Sequence, residues 1–304
     1  MSEKQITFRH FVYCPLTGVG ITEIYRNEEW LKYRIEIFKK YTLNSLAQQT
    51  AKNFTLWISA RPEEYKSQDV MELGEYIKKI GLSAIITFDG LMYYDDKFSK
   101  DLLSRAKNVA RVMRKCWRTK DFRSFTQGIK QVLKDKNGTL KLRLASSLDN
   151  LKQHFYDADY VYVTRIDSDD MFRNTVIETI QSIPIQSESL VFRKGFVYNK
   201  QTGELAEWNP KTNPPFHTLI FKRDTFFDAK KHLELYGDWK SHEDTPKIFT
   251  YIRLPDYNYC VLVHSAVNQI STIWNHPFRK EIKLSEEEKK TILNSFGIEY
   301  EIRI

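Results

Sequence analysis

An α/β architecture on a mostly parallel, Rossmann-like central sheet flanked by helices is what this 304-residue sequence predicts, and three observations predict it. Strand-like and helix-like segments alternate through the first half, the order that produces a parallel sheet with right-handed crossovers. Past residue 170 the pattern changes to short strands around turn residues, which predicts antiparallel strands extending that sheet in the C-terminal half. Hydrophobic residues make up 41% and aromatics 14%, with only 11 Gly and 9 Pro, so the chain can bury a sizeable core and is not of the disordered or low-complexity class.

The elements follow in order. Ile6 to Leu16 reads as a strand, followed by a loop carrying Gly18 and Gly20. Asn27 is a fitting N-cap with Glu28 and Glu29 in the first turn, and Trp30, Arg34, Ile37, Phe38, Tyr41 and Leu46 recur at helical spacing. Phe54 to Ser59 is a short strand, Gln68 to Ile80 a helix, and Ser83 to Phe88 a strand ending at Asp89-Gly90. Helices over Ser99 to Met113 and Leu144 to Tyr156 lead into the strand Tyr160 to Ile166. Leu190 to Tyr198 and Leu205 to Trp208 flank the turn residues 199–203 as a hairpin. A Pro-containing loop then leads to the strand His217 to Phe221 and a helix over Asp224 to Tyr236, and Ser285 with Glu288 makes a capping box. The expected organisation is one domain over 1–304, divided into 1–170, 171–280 and a C-terminal helix and tail at 281–304.

A formal charge of +8 points to an anionic partner. Much of it crowds into Arg105, Lys107, Arg111, Arg114, Lys115, Arg118, Lys120 and Arg123. That stretch is either a solvated face or a basic rim for an anionic substrate or a peripheral membrane contact. Nucleic acid is not expected, because Trp117, Phe122 and Phe125 nearby form no stacking-platform motif. The start is polar and no stretch approaches the roughly 20 apolar residues that span a bilayer. With three scattered cysteines (Cys14, Cys116 and Cys260), this predicts a cytoplasmic protein with free thiols. Oligomeric state is left open.

The strand Tyr160 to Ile166 ends in Asp167-Ser168-Asp169-Asp170, three carboxylates where such a strand surfaces. Oxygen ligands at alternate positions of an extended chain lie on one side of it, which suits Mg²⁺ or Mn²⁺ holding substrate phosphates. Two Asp one residue apart arise on the order of once by chance in a chain this long. A second copy, Asp157-Ala158-Asp159, stands just upstream. Position separates the two: the upstream copy precedes the strand and reads as a turn, whereas open α/β sheets bind ligands beyond the carboxyl ends of their strands.

Other candidates are weaker one by one. In His242-Glu243-Asp244, a Glu-Asp pair at a helix start is either a favourable charge at the positive helix end or, facing a metal site, a proton acceptor. His264 closes the apolar run Val261 to Val263 and is either a rim residue or a ligand, in which case it would favour Mn²⁺. Asp89 can accept from a nucleobase or ribose, or simply form a turn with Gly90. Arg34 and Arg165 are candidates for phosphate contacts, with structural ion pairs the alternative.

Taken as an ordered set, these residues resemble the GT-A fold glycosyltransferases. Asp167-Ser168-Asp169 resembles their Asp-any-Asp motif and His242-Glu243-Asp244 their later any-Glu-Asp motif. His264 stands where a late metal-binding His can occur. Val163 to Asp170, together with Arg34 to Phe38, Leu43 to Leu46, Gln48-Gln49-Thr50, Phe54 and Trp57, is similar to the rhamnosyltransferase group of that fold. The resemblance covers about Ile6 to Ser271. It implies a nucleotide-diphosphate sugar as donor, bound by the half at 1–170, and a glycan or glycolipid acceptor bound by 171–280. Asp169 would coordinate the cation bridging the diphosphate, Asp167 would face the ribose or metal, and Asp170 would support the loop. Asp244, or less readily Glu243, would be the base that deprotonates an acceptor hydroxyl, with inversion at the anomeric carbon. Two other classes compete: a haloacid-dehalogenase-type phosphatase, and a non-catalytic basic carbohydrate- or nucleic-acid-binding module.

Overall fold

In a computed structural model, the residues described are 6–17, 28–90, 110, 113, 139–155, 157–236, 242–264 and 274–299. Twelve strands lie among them in two sheets. The first four are β1 (Phe8–Pro15), β2 (Thr55–Ser59), β3 (Ala84–Thr87) and β4 (Tyr160–Arg165). They are followed by β5 (Met171–Phe172), β6 (Ser189–Val191), β7 (Gly195–Asn199) and β8 (Leu205–Trp208). The last four are β9 (His217–Lys222), β10 (Tyr251–Arg253), β11 (Tyr259–Val263) and β12 (Arg279–Glu281). The larger sheet has the order β10-β6-β9-β4-β1-β2-β3 and the smaller β12-β8-β7-β11-β5.

The α/β class read from the sequence is the class observed. β1, β2, β3 and β4 run parallel, and β9 enters antiparallel between β4 and β6. β2 is buried throughout and β4 at every position after Tyr160, as strands covered on both faces must be. One cluster, including Val12, Leu56 and Ile58, packs one face of the sheet; a second, including Phe11, Trp57, Val161 and Leu148, packs the other. The chain runs outward from β1 to β3, then crosses back to place β4 on the other side of β1. The gap beyond the carboxyl ends of β1 and β4 is therefore the switch point where open sheets of this kind take ligands.

Several boundaries differ from the expectations. The segment Leu190 to Tyr198 is two strands: β6 stays in the large sheet and β7 belongs to the small one. Between them the chain crosses from one sheet to the other, held by buried Phe192 and by the Tyr259 hydroxyl, which donates to the Arg193 carbonyl at 2.8 Å. The C-terminal half thus feeds both sheets instead of extending one. The helix expected over Asp224 to Tyr236 breaks into Arg223–Phe226 and Ala229–Tyr236. The Asp228 carboxylate starts the second piece by accepting from the amides of Lys230 and Lys231 at 2.9 and 3.1 Å. The first helix runs over Glu28–Ile37 and continues as a π-helical segment, Phe38–Leu43, and a short α-turn, Asn44–Ala47. The helix expected over Ser99 to Met113 falls, apart from residues 110 and 113, outside the described residues, as does most of the basic stretch 105–123. No described helix is long and apolar enough to cross a membrane.

Candidate functional site

The acidic loop leaves β4 and turns at once, with the Asp170 amide donating to the Asp167 carbonyl at 3.1 Å, before the chain enters β5 of the small sheet. The three carboxylates therefore ride on the passage between the sheets, and each meets a different partner. Asp170 is buried, and its carboxylate accepts from the Leu262 amide of β11 at 3.1 Å. Burial, then the neighbouring Asp169 and Asp167, pushes its carboxyl well above the ordinary range. It ties the loop to the second sheet.

Asp169 is the centre of the cluster. Arg34, from the first helix, grips it with two prongs, Nη1 to Oδ2 at 2.6 Å and Nη2 to Oδ1 at 3.1 Å, while its Nε donates to Ser168 Oγ at 2.7 Å. Burial alone would lower the guanidinium, but the charges of Asp169 and Asp167 outweigh it and hold Arg34 above its ordinary value. His264, at the end of β11, brings Nε2 to 3.2 Å from Asp169 Oδ2. Asp167 turns the other way: its Oδ1 accepts from Arg165 Nε and Nη2 at 3.1 and 2.9 Å.

The fit to a divalent cation is therefore partial. Among the described residues no three His, Cys, Asp or Glu side chains converge on one point. Asp167 does not join Asp169 and His264, because Arg165 holds it. The remaining pair does suit an ion. Two ligands each about 2.1 Å from a metal and at right angles lie about 3.0 Å apart, close to the 3.2 Å between Asp169 Oδ2 and His264 Nε2. Such ions commonly take one or two protein ligands and complete their shell with phosphate oxygens and water. Tyr33 Oη lies 3.1 Å from His264 Nδ1 and 3.3 Å from the His264 carbonyl. When the hydroxyl donates to that carbonyl it can accept from Nδ1–H, the tautomer that turns the Nε2 lone pair toward Asp169.

The His242-Glu243-Asp244 segment is a 3₁₀ turn leading into the short helix Thr245–Ile248. His242 Nδ1 donates to the Asn213 carbonyl at 2.7 Å, and the Asn213 amide donates to the His242 carbonyl at 3.0 Å. Burial and then Arg165 lower the His242 imidazole, while Asp167 acts in the opposite sense, so this turn lies within electrostatic reach of the Arg165–Asp167 pair. Asp244 pairs with Lys247 at 2.8 Å and Glu243 accepts from Thr212 at 3.2 Å. His217 is paired with Arg165 across β4 and β9, and burial, then Arg165, drives its imidazole well down.

The remaining candidates sort clearly. Asp89 accepts from Ser147 of the helix Thr139–Phe155 and is buried there. β3 stands beyond β1 and β2 from β4, about 14 Å away at ~4.8 Å per strand, so Asp89 is not part of the cluster. The upstream copy is the turn it was read as: Asp157 pairs with exposed Arg9, and Asp159 accepts from the Thr7 amide at 3.1 Å. Sequence reasoning missed Tyr33, Ser168, His217, His242 and Asn213. Tyr33, Ser168 and His242 adjoin residues it did select, whereas His217 and Asn213 reach the site only through long-range pairing.

Comparison with known proteins adds two findings. A family model described as "Putative rhamnosyl transferase" matches residues 20–85, the part that carries Tyr33 and Arg34. Among solved structures the chain is similar to a "putative nucleotide-diphospho-sugar transferase from Desulfovibrio desulfuricans G20", at 10% identity over 83% of this chain and 80% of that one, with a TM-score of 0.31. No curated protein matches the sequence. The family match runs over the opening helix and β2, where the sequence carries its resemblance, and on through the helix Gln68–Lys79 to the start of β3.

Proposed function

We propose that the protein is a nucleotide-sugar-dependent glycosyltransferase that moves a hexosyl or deoxyhexosyl group from a nucleotide-diphosphate donor to a hydroxyl of a glycan or glycolipid. The observation that carries this reading is the meeting of Asp169, Arg34 and His264 just beyond the switch point between β1 and β4. The family match over residues 20–85 supports it.

Asp169 and His264 would hold a Mn²⁺ or Mg²⁺ ion. When bound, the ion offsets charge growing on the diphosphate leaving group. Arg165, buried and paired with Asp167, would hold that carboxylate in place for the ribose of the donor. Asp244 is the proposed base. It is paired with Lys247, and it would take the proton of the acceptor hydroxyl as that oxygen attacks, giving inversion. Glu243, bonded to Thr212, is the alternative base on the same turn. The buried free thiols Cys14 and Cys260 accord with a cytoplasmic setting.

The test is a thermal-shift screen of nucleotide sugars with and without Mn²⁺. A ligand that binds only the folded state raises its melting temperature, by an amount set by RT ln(1 + [L]/Kd). The expected result is stabilisation by one nucleotide class that needs Mn²⁺ and disappears in Asp169→Asn. Asp244→Ala should retain this stabilisation and lose sugar transfer. Normal transfer by Asp244→Ala would remove the base assignment, and no stabilisation by any nucleotide sugar would remove the transferase reading.

A further inference from the structure

Asp169 Oδ2 has two claimants at once: Arg34 Nη1 at 2.6 Å and His264 Nε2 at 3.2 Å. A cation held between Oδ2 and His264 would replace the Nε2–H contact and set its charge beside the Arg34 guanidinium, two positive charges against one buried carboxylate. The side chains of Asp169 and His264 are each 3% exposed, and a carboxylate so far from water requires a counter-charge. In this structure that charge is Arg34, which is further anchored through Nε to Ser168. The other arginine of the cluster is engaged in the same way, by Asp167. Among the described residues, both arginines beside the loop are thus already paired with its aspartates.

We infer that Arg34 is the resident counter-ion of Asp169 and is exchanged for the divalent cation on loading, its guanidinium passing to the phosphate oxygens of the incoming donor. This rests on the reading that Asp169 meets a metal. Under the exchange, Arg34 penalises the metal alone, because the ion must displace a partly buried two-pronged pair and part the guanidinium from its carboxylate. The diphosphate removes that penalty by supplying another anion. Metal and nucleotide therefore bind cooperatively, and by linkage each raises the affinity of the other by the same factor. The His264 tautomer follows the exchange through Tyr33: Nε2–H faces Asp169 before loading, and the Nε2 lone pair faces the ion after it.

Mn²⁺ binding to the full chain, followed by calorimetry or by the loss of the free-ion electron paramagnetic resonance signal, tests this with no need for turnover. Without nucleotide, Arg34→Met should bind Mn²⁺ at least tenfold more tightly than the wild type, because the buried carboxylate has lost its other partner. The double variant Arg34→Met/Asp169→Asn should lose that gain. UDP or dTDP should tighten Mn²⁺ binding to the wild type by a larger factor than to Arg34→Met, in which only the phosphate–metal contacts remain to couple the two. Should Arg34→Met fail to fold, Arg34→Lys carries the same reading at smaller size, about threefold, since it keeps the charge but loses the second prong. Equal or weaker Mn²⁺ binding in the folded Arg34 variant, in a protein whose wild type binds Mn²⁺ with nucleotide through Asp169, overturns the exchange and leaves the transferase reading standing. Mn²⁺ binding that ignores Asp169→Asn under all conditions overturns both.

Discussion

Lowering the pH from about 7 to about 4.5 should cost this protein about 5 kcal/mol through two histidines alone. His10 and His232 are fully buried, and burial lowers them from 6.5 to about 3 and about 4. Their folded values lie below the unfolded one, so their stability is complete above pH ~6.5 and is lost as the pH falls toward the folded values. Between the two limits the unfolded chain binds a proton at each site that the native state does not. Each contributes about 1.4 kcal/mol per pH unit, hence about 2.7 kcal/mol apiece over two units. His10 shows why its native ring resists the proton. The Gln181 amide donates to Nδ1 at 3.1 Å, so Nε2–H donates to Thr164 Oγ1 at 2.7 Å, and Thr164 donates on to Thr218 at 2.7 Å. A protonated ring would point N–H at N–H toward Gln181. Urea unfolding across this range should show the loss in the wild type and a flatter profile, by about 2.5 kcal/mol, in His10→Gln. Parallel profiles for the two proteins would mean that His10 is charged in the native state, which would refute the reasoning.

Three further substitutions probe the frame. A Cβ on Gly195 would lie 2.5 to 2.6 Å from the Tyr259 ring, itself packed on Phe216 at 4.4 Å, so Gly195→Ala should lower unfolding stability by about 2 kcal/mol or more. Ser285→Ala removes the bond from the Glu288 amide at the start of the helix Glu286–Ser295 and should cost about 1 kcal/mol in the same assay. Asp157→Ala breaks only an exposed pair with Arg9; it should change stability by under about 1 kcal/mol and leave nucleotide binding intact, unlike Asp169→Asn.

The parallel half of the fold was legible because its signals are local. The periodicity of Gln68 to Ile80 and the apolar run of Tyr160 to Ile166 each fix an element with no reference to the rest of the chain. The position of Asp167 to Asp170 after a strand, and of Asp157 and Asp159 before it, was likewise enough to place the two acidic copies at opposite ends of β4. Partnership was not legible. Nothing in the spacing shows that Arg165 claims Asp167 while Arg34 claims Asp169, because 131 residues separate Arg34 from Arg165, with strands β2 and β3 between them. The split of Leu190 to Tyr198 was hidden for the same reason. A run of apolar residues does not record that its two halves pair with β9 and β10 on one side and with β8 and β11 on the other.

The placing of the acidic loop between two sheets limits how far it can be transplanted. Grafting Val163 to Asp170 with its own strand onto another parallel scaffold would carry the carboxylates but neither the Leu262 amide that receives Asp170 nor the imidazole of His264. Inserting one residue into the loop would leave both sheets free to fold and yet slide Asp169 out of alignment with β11. What such a motif needs from a host is a neighbouring sheet at a fixed offset, so its portability is that of a pair of sheets.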